Sequence, residues 1–104
     1  MNDFHLIQKI KSTLELLGPQ ISIYLYGSRA RGKAGPQSDW DLLIILNNND
    51  LTNEIEDKIF TAIYKIELET GQIISPYFLN KQDFDSRLGK TPFYRNVSNE
   101  GILL

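Results

Sequence analysis

The sequence predicts an α/β fold of the α+β kind: a small mixed β-sheet with helices mainly on one face, in a single domain covering residues 1–104. Three observations predict it. Amphipathic helical stripes alternate along the chain with runs that read as strands. The run from Asp41 to Leu46 is apolar after its first residue, as in a strand covered on both faces. A chain of 104 residues builds one core and leaves no room for a separate substrate domain.

Phe4, Ile7, Ile10, Leu14 and Leu17 recur at spacings of three and four, marking one helix face that Gly18-Pro19 stops. Ile21 to Tyr26 is β-branched and aromatic and reads as the first strand, ended by Gly27-Ser28. Residues 29–32 are expected to begin a short helix, and Lys33 to Ser38 form a loop by their Gly, Pro and Ser content. Trp40 to Leu46 is the second strand, broken by Asn47-Asn48-Asn49-Asp50. Asn53 with Glu56 resembles a capping box. Ile55, Ile59, Ala62, Ile63 and Ile66 follow as a second helical stripe that ends before Gly71. Gln72 to Leu79 is the third strand, and Pro76 assigns it to an edge or a bulge. Asn80 and Asp83 read as the cap of a short helix carrying Phe84 and Leu88. Thr91-Pro92 opens a last helix, with Phe93 and Val97 one turn apart and Gly101 at its end.

Composition narrows the function classes. A hydrophobic content of 41% and a charged content of 23% are ordinary for a globular protein. A net charge of −2 argues against general nucleic-acid affinity, which rests on Lys and Arg neutralising phosphates. No apolar run is long enough to span a membrane. Met1 to His5 lacks the features of a signal peptide. The chain has no cysteine, which excludes disulfides and thiolate metal sites and fits an expected cytoplasmic location.

The chemistry concentrates between residues 27 and 44. Side chains alternate faces along a strand, so Asp39 and Asp41 point the same way, while Trp40, Leu42 and Ile44 point into the core. Two carboxylates on one face can jointly hold Mg²⁺, a hard cation that takes one or two carboxylates and completes its shell with waters and substrate phosphates. Gly27 lets the backbone approach a phosphate closely, and Ser28 adds a hydroxyl. The start of a helix after them would add N–H groups and a positive dipole end. Arg29 and Arg31 are near enough to counter phosphate charge. Gly-Ser after a strand is usually only a turn, and Asp-x-Asp is usually only a strand start. Together, with unpaired charge opening an apolar strand, a metal–phosphate site is the better account.

Gly27-Ser28-Arg29-Ala30-Arg31-Gly32, a short loop, then Ser38-Asp39-Trp40-Asp41-Leu42-Leu43 resembles the signature of the nucleotidyltransferase superfamily that includes DNA polymerase β. Within it the chain is most similar to the minimal nucleotidyltransferases. The resemblance implies a polymerase β-like fold, an NTP substrate (ATP first), and transfer of a nucleoside monophosphate, AMP foremost, to a hydroxyl with release of pyrophosphate. It implies Gly27 and Ser28 on the triphosphate, with Arg29 and Arg31 beside them, and Asp39 and Asp41 as catalytic residues and ligands of up to two Mg²⁺ ions. It also implies a helical HEPN-type protein as partner in a toxin–antitoxin pair, the nucleotidyltransferase being the antitoxin.

One position departs from that pattern. Active relatives carry a third carboxylate on the next strand, and Ser75 stands at the matching place. A serine is a far poorer Mg²⁺ ligand and no general base at neutral pH. The third strand is expected beside the second, with Ser75 facing the same pocket. Glu67 or Glu69 is the other source of a third ligand, whereas Asp83 and Asp85 read as cap and surface residues. Two readings stay open: an active nucleotidyltransferase, or a nucleotide-binding module that acts on a partner with little or no catalysis. His5 reads as a surface or partly buried residue, and Tyr24, Tyr26 and Trp40 as packing residues. Phe93, Tyr94 and Ile102-Leu103-Leu104 are apolar enough to pack on the sheet or, if exposed, to meet a partner.

Overall fold

A computed structural model describes residues 3–17, 21–27, 29–32, 35, 38–47, 52–87, 90 and 92–104. Four helices and four strands lie in it: α1 (Asp3–Glu15), β1 (Ile21–Tyr26), β2 (Trp40–Leu46), α2 (Asn53–Thr70), β3 (Ile74–Asn80), α3 (Lys81–Arg87), α4 (Pro92–Glu100) and β4 (Ile102–Leu103). Gly18-Pro19, Ser28, most of the loop from Lys33 to Gln37, Asn48 to Asp50, Leu88 and Thr91 fall outside the described residues, as do the side chains of Phe93 and Tyr94.

The strands form one sheet in the order β3-β2-β1-β4. β1 runs antiparallel to β2 and to β4, and β2 runs parallel to β3. A parallel pair needs a crossover, and α2 supplies it. The sheet is therefore mixed, and β2 lies inside it with every residue except Asp41 buried. The two long helices cover one face, where Leu6, Ile10 and Leu14 of α1 and Ile59, Ile63 and Ile66 of α2 pack on Ile23, Leu25, Leu42, Ile44 and Leu46. On the other face Phe84 of α3 and Val97 of α4 close over Leu43, Ile45 and Leu79. That second cluster leaves the start of β2 uncovered, and Asp39 and Asp41 lie there.

Local chemistry sets the boundaries. Thr52, not Asn53, caps α2: its backbone is extended and its hydroxyl accepts from the Ile55 N–H at 3.2 Å. Gly71 ends α2 at φ 71°, and its N–H bonds the Glu67 carbonyl. Asn80 caps α3 by accepting from the Asp83 N–H at 2.7 Å. Pro76 sits in an edge strand, where an absent N–H is tolerated.

Two expectations change. Phe4 is 65% exposed and Leu6 takes its place in the core. At 3.6 residues per turn Leu6 lies about 40° around the helix from Ile10, whereas Phe4 lies about 120° away. Ile102 and Leu103 form an edge strand against Tyr24 and Leu25 with exposed side chains, while Leu104 turns inward and donates its N–H to the Ile23 carbonyl at 2.9 Å.

Candidate functional site

Across the open end of the sheet, Tyr26 of β1 pairs with Asp41 of β2, and Asp41 pairs with Ser75 of β3. Paired residues share a face, so these three side chains form one row. Asp39, two residues before Asp41, and Tyr77, two residues after Ser75, extend the same face. Ser75 Oγ donates a long hydrogen bond of 3.4 Å to Asp39 Oδ2.

Gly27 closes β1 at φ 77°, a conformation that L side chains rarely adopt. A Cβ there would also overlap the Asp41 carboxylate. The absent side chain thus leaves backbone directly against Asp41. Residues 29–32 form a turn rather than the start of a helix, with Arg31 N–H bonded to the Gly27 carbonyl at 3.2 Å and Gly32 N–H to the Arg29 carbonyl at 3.3 Å. Gly32, at φ 72°, leaves the helical region after that single turn. The expected helix dipole at this place is withdrawn. Ser28 lies outside the described residues.

The two arginines separate. Arg29 lies with its guanidinium carbon 4.2 Å from the centre of the Trp40 ring. Its Nε and Nη2 donate to the Ser38 carbonyl at 3.1 and 2.8 Å. Gln72 Oε1 accepts from Trp40 Nε1 at 3.1 Å and from Arg29 Nη2 at 3.4 Å. Trp40 faces the α1–α2 core, so Arg29 fastens the loop just before Asp39 from the far side of β2. Arg31 stays with the carboxylates: it lies 3.5 Å from Glu100 at the end of α4, and its charge acts on Asp41.

The electrostatics follow from this packing. Burial raises the Asp41 carboxyl above the usual carboxylate range, the neighbouring Asp39 charge raises it further, and Arg31 opposes both. Burial likewise raises the Tyr26 phenol, with Asp41 and then Tyr77 adding to it, so Tyr26 is a neutral hydrogen-bonding group at working pH. The other acids considered for a third ligand are engaged elsewhere. Glu67 Oε2 accepts from the Ile74 N–H at 3.2 Å, and Glu69 pairs with Lys9. Asp85 pairs with Lys81 at 3.0 Å. Among the described residues no group of three or more His, Cys, Asp or Glu side chains is placed to share a metal. A groove of about 390 Å³ between α1 and α2, edged by Lys9, Lys58 and Lys65, lies on the opposite side of the sheet and is not continuous with this row.

Sequence reasoning missed Gln72 and the neighbourhood of Tyr26 and Tyr77. Period-two alternation puts Tyr77 on the face of Ser75, and that signal was available. Nothing local announced Gln72, whose partners are 32 and 43 residues away.

The chain thus sets two carboxylates beside a glycine turn on a mixed four-stranded sheet, with its long helices behind. The chain belongs to the nucleotidyltransferase domain family, whose model matches residues 7–103. Among solved structures it is similar to a toxin–antitoxin crystallised with AMP-PNP, at 21% identity and a TM-score of 0.63 over 92% of this chain and 69% of that one. It is also similar to a mutant of the MntA–HpeT toxin–antitoxin, at 19% identity and a TM-score of 0.56 over 100% of this chain and 72% of that one. At these identities the likeness establishes the fold. No curated protein matches the chain.

The family's chemistry uses Mg²⁺, and the row fits such an ion in kind. Its side-chain polar atoms are oxygens only, as a hard cation prefers, and Gly27, lacking a Cβ, leaves room for the Asp41 carboxylate itself.

Proposed function

We propose that this chain binds Mg²⁺ with a nucleoside triphosphate, ATP first, and transfers a nucleoside monophosphate to a hydroxyl on a partner protein. The observation that carries this reading is the shared face of Asp39 and Asp41 against the Gly27 turn, in a chain of the nucleotidyltransferase family. Asp39 and Asp41 would hold the metal, which when bound neutralises charge on the transferring phosphoryl group. Gly27 and Ser28 would cradle the triphosphate, and Arg31 would oppose its charge. Arg29 serves the same site indirectly, by fixing the loop that delivers Asp39.

In the transfer, the acceptor oxygen bonds to the α-phosphorus and the bond from that phosphorus to the pyrophosphate oxygen breaks. Pyrophosphate leaves, and the acceptor's proton passes to solvent, because Ser75 occupies the place of a carboxylate that would take it. Such a site transfers slowly. A second reading, favoured by Ser75, keeps nucleotide binding and dispenses with transfer: an antitoxin that acts by binding.

The partner is supported by the toxin–antitoxin assemblies of the two similar structures. The exposed row Phe60, Tyr64 and Leu68 along α2 is the kind of apolar surface that a partner covers. A helical HEPN-type protein is the partner we put forward. Among the described residues no helix is long and apolar enough to cross a membrane, and a cytoplasmic setting suits a chain without cysteine.

Calorimetry with ATP and Mg²⁺ tests the site. Parent protein should bind, and Asp39→Asn combined with Asp41→Asn should abolish binding while the thermal unfolding transition persists. Equal binding by parent and double variant would remove the assignment. Labelled ATP with the purified partner then separates the readings: label on the partner means transfer, and a stable unlabelled complex means binding alone.

A further inference from the structure

Resting on the nucleotide reading of this site, we propose that the chain takes one divalent cation with the nucleotide, that a second cation site is lost, and that Ser75 is the residue that removes it. Three observations converge. Ser75 lies in register with Asp41, on the face of both carboxylates, so the position is geometrically that of a third ligand. Its hydroxyl is neutral, makes only a long 3.4 Å hydrogen bond to Asp39 Oδ2, and brings no anionic oxygen to the row. The other acids in question are engaged: Glu67 by the Ile74 backbone, Glu69 by Lys9 and Glu100 by Arg31.

The consequence follows from ligand supply. A cation that arrives with the nucleotide brings phosphate oxygens and needs only one or two carboxylates from the protein. Asp39 and Asp41 meet that need. A second cation, on the acceptor side, depends on protein carboxylates for its anionic ligands. Here it would have to share the same two carboxylates, with the Arg31 guanidinium also acting on Asp41. Tyr26 and Tyr77 flank Asp41 but offer phenols rather than carboxylates. Two carboxylates balance one divalent ion and leave a second under-neutralised. A site so built keeps nucleotide affinity and activates the acceptor poorly, because in two-metal sites one ion serves the attacking oxygen and the other the leaving oxygen.

Equilibrium dialysis with Mn²⁺ and the non-hydrolysable analogue AMP-PNP tests this without reference to turnover. Retained metal and retained nucleotide are both counted per chain. The parent should hold one Mn²⁺ for each AMP-PNP. Ser75→Ala should also hold one, because the hydroxyl is not a ligand. Ser75→Asp should hold two at the same free Mn²⁺, and its melting temperature should rise more with Mn²⁺ than the parent's does. Two Mn²⁺ per nucleotide on the parent would overturn the proposal and leave the nucleotide site standing, as would loss of the single ion in Ser75→Ala. One Mn²⁺ on a folded Ser75→Asp would overturn the part assigned to Ser75. Failure of the parent to retain AMP-PNP at all would overturn the nucleotide reading itself, and the proposal with it.

Discussion

Gly27 and Asp41 constrain each other: the glycine has no Cβ where the carboxylate lies, and the carboxylate is half-sheltered because backbone sits against it. That shelter, with Asp39 beside it, raises the Asp41 carboxyl above its ordinary value. Linkage then fixes a sign. Above the raised folded value, Asp41 is ionised in both states and its desolvation opposes folding in full. As pH falls through that value the folded state takes up the proton first, and the opposition is relieved by the time the ordinary carboxylate range is passed. Asp41→Asn in EDTA should therefore melt at a higher temperature than the parent at neutral pH, and the gap should narrow as the solution is acidified. A parent that is more stable than Asp41→Asn at pH 7 would mean that Arg31 outweighs burial and Asp39. The pairing of Asp39 with Asp41 was legible in the sequence, since period-two alternation needs only the strand. Arg29 was not legible. A long side chain can reach either side of the chain, and its direction here is set by Trp40 and Gln72, which no local pattern connects to it.

The element that carries Asp39 is short and is held in place by side chains. Ser38 accepts the Gly35 N–H on its hydroxyl at 3.0 Å, and its carbonyl takes both Arg29 donors. Arg29 in turn stacks on Trp40, the only tryptophan in the chain. Arg29→Ala should cost roughly 1–2 kcal/mol of stability, the order of a charge-assisted hydrogen bond with a cation–π contact. It should also shift Trp40 emission and weaken nucleotide binding while both carboxylates remain. Arg29→Lys should behave much like Arg29→Ala, because an ammonium reproduces neither the stacking nor the forked contact. Urea titration, the fluorescence spectrum and ATP calorimetry check this together. If Arg29→Lys binds ATP like the parent and Arg29→Ala leaves stability untouched, Arg29 meets phosphate directly instead. At the same scale, the cap of α2 fell one residue from its expected place because Thr52 and Asn53 are both competent caps, and only the extended backbone of Thr52 decides between them. β4 was illegible as a strand, since two residues cannot display a period.

Over the whole molecule, the run from β2 through α2 to β3 was readable as two neighbouring strands with a helix between them, because an apolar strand, a helical stripe and another strand admit few arrangements; that the two strands are parallel is seen in the sheet itself. The place of the C-terminal segment was not, because it depends on pairing across more than seventy residues with Tyr24 and Leu25. That pairing has a functional edge. α4 delivers Glu100 to Arg31, at 3.5 Å with both side chains about two-fifths exposed (41% and 42%), so the end of the chain competes for the cation that we assign to the phosphates. Glu100→Gln should release Arg31 and tighten ATP binding about two- to fivefold, since an exposed ion pair is worth about 0–1 kcal/mol and 1.4 kcal/mol is tenfold in affinity. Removing a negative charge near the phosphates would act in the same direction without Arg31. The Arg31→Ala background separates the two routes. If Glu100 acts through Arg31, Glu100→Gln gains nothing there, and calorimetry on the four proteins of the cycle shows a coupling. An equal gain in both backgrounds would reduce Glu100 to a diffuse charge, and ATP binding undiminished in Arg31→Ala would leave Arg31 without the role given to it.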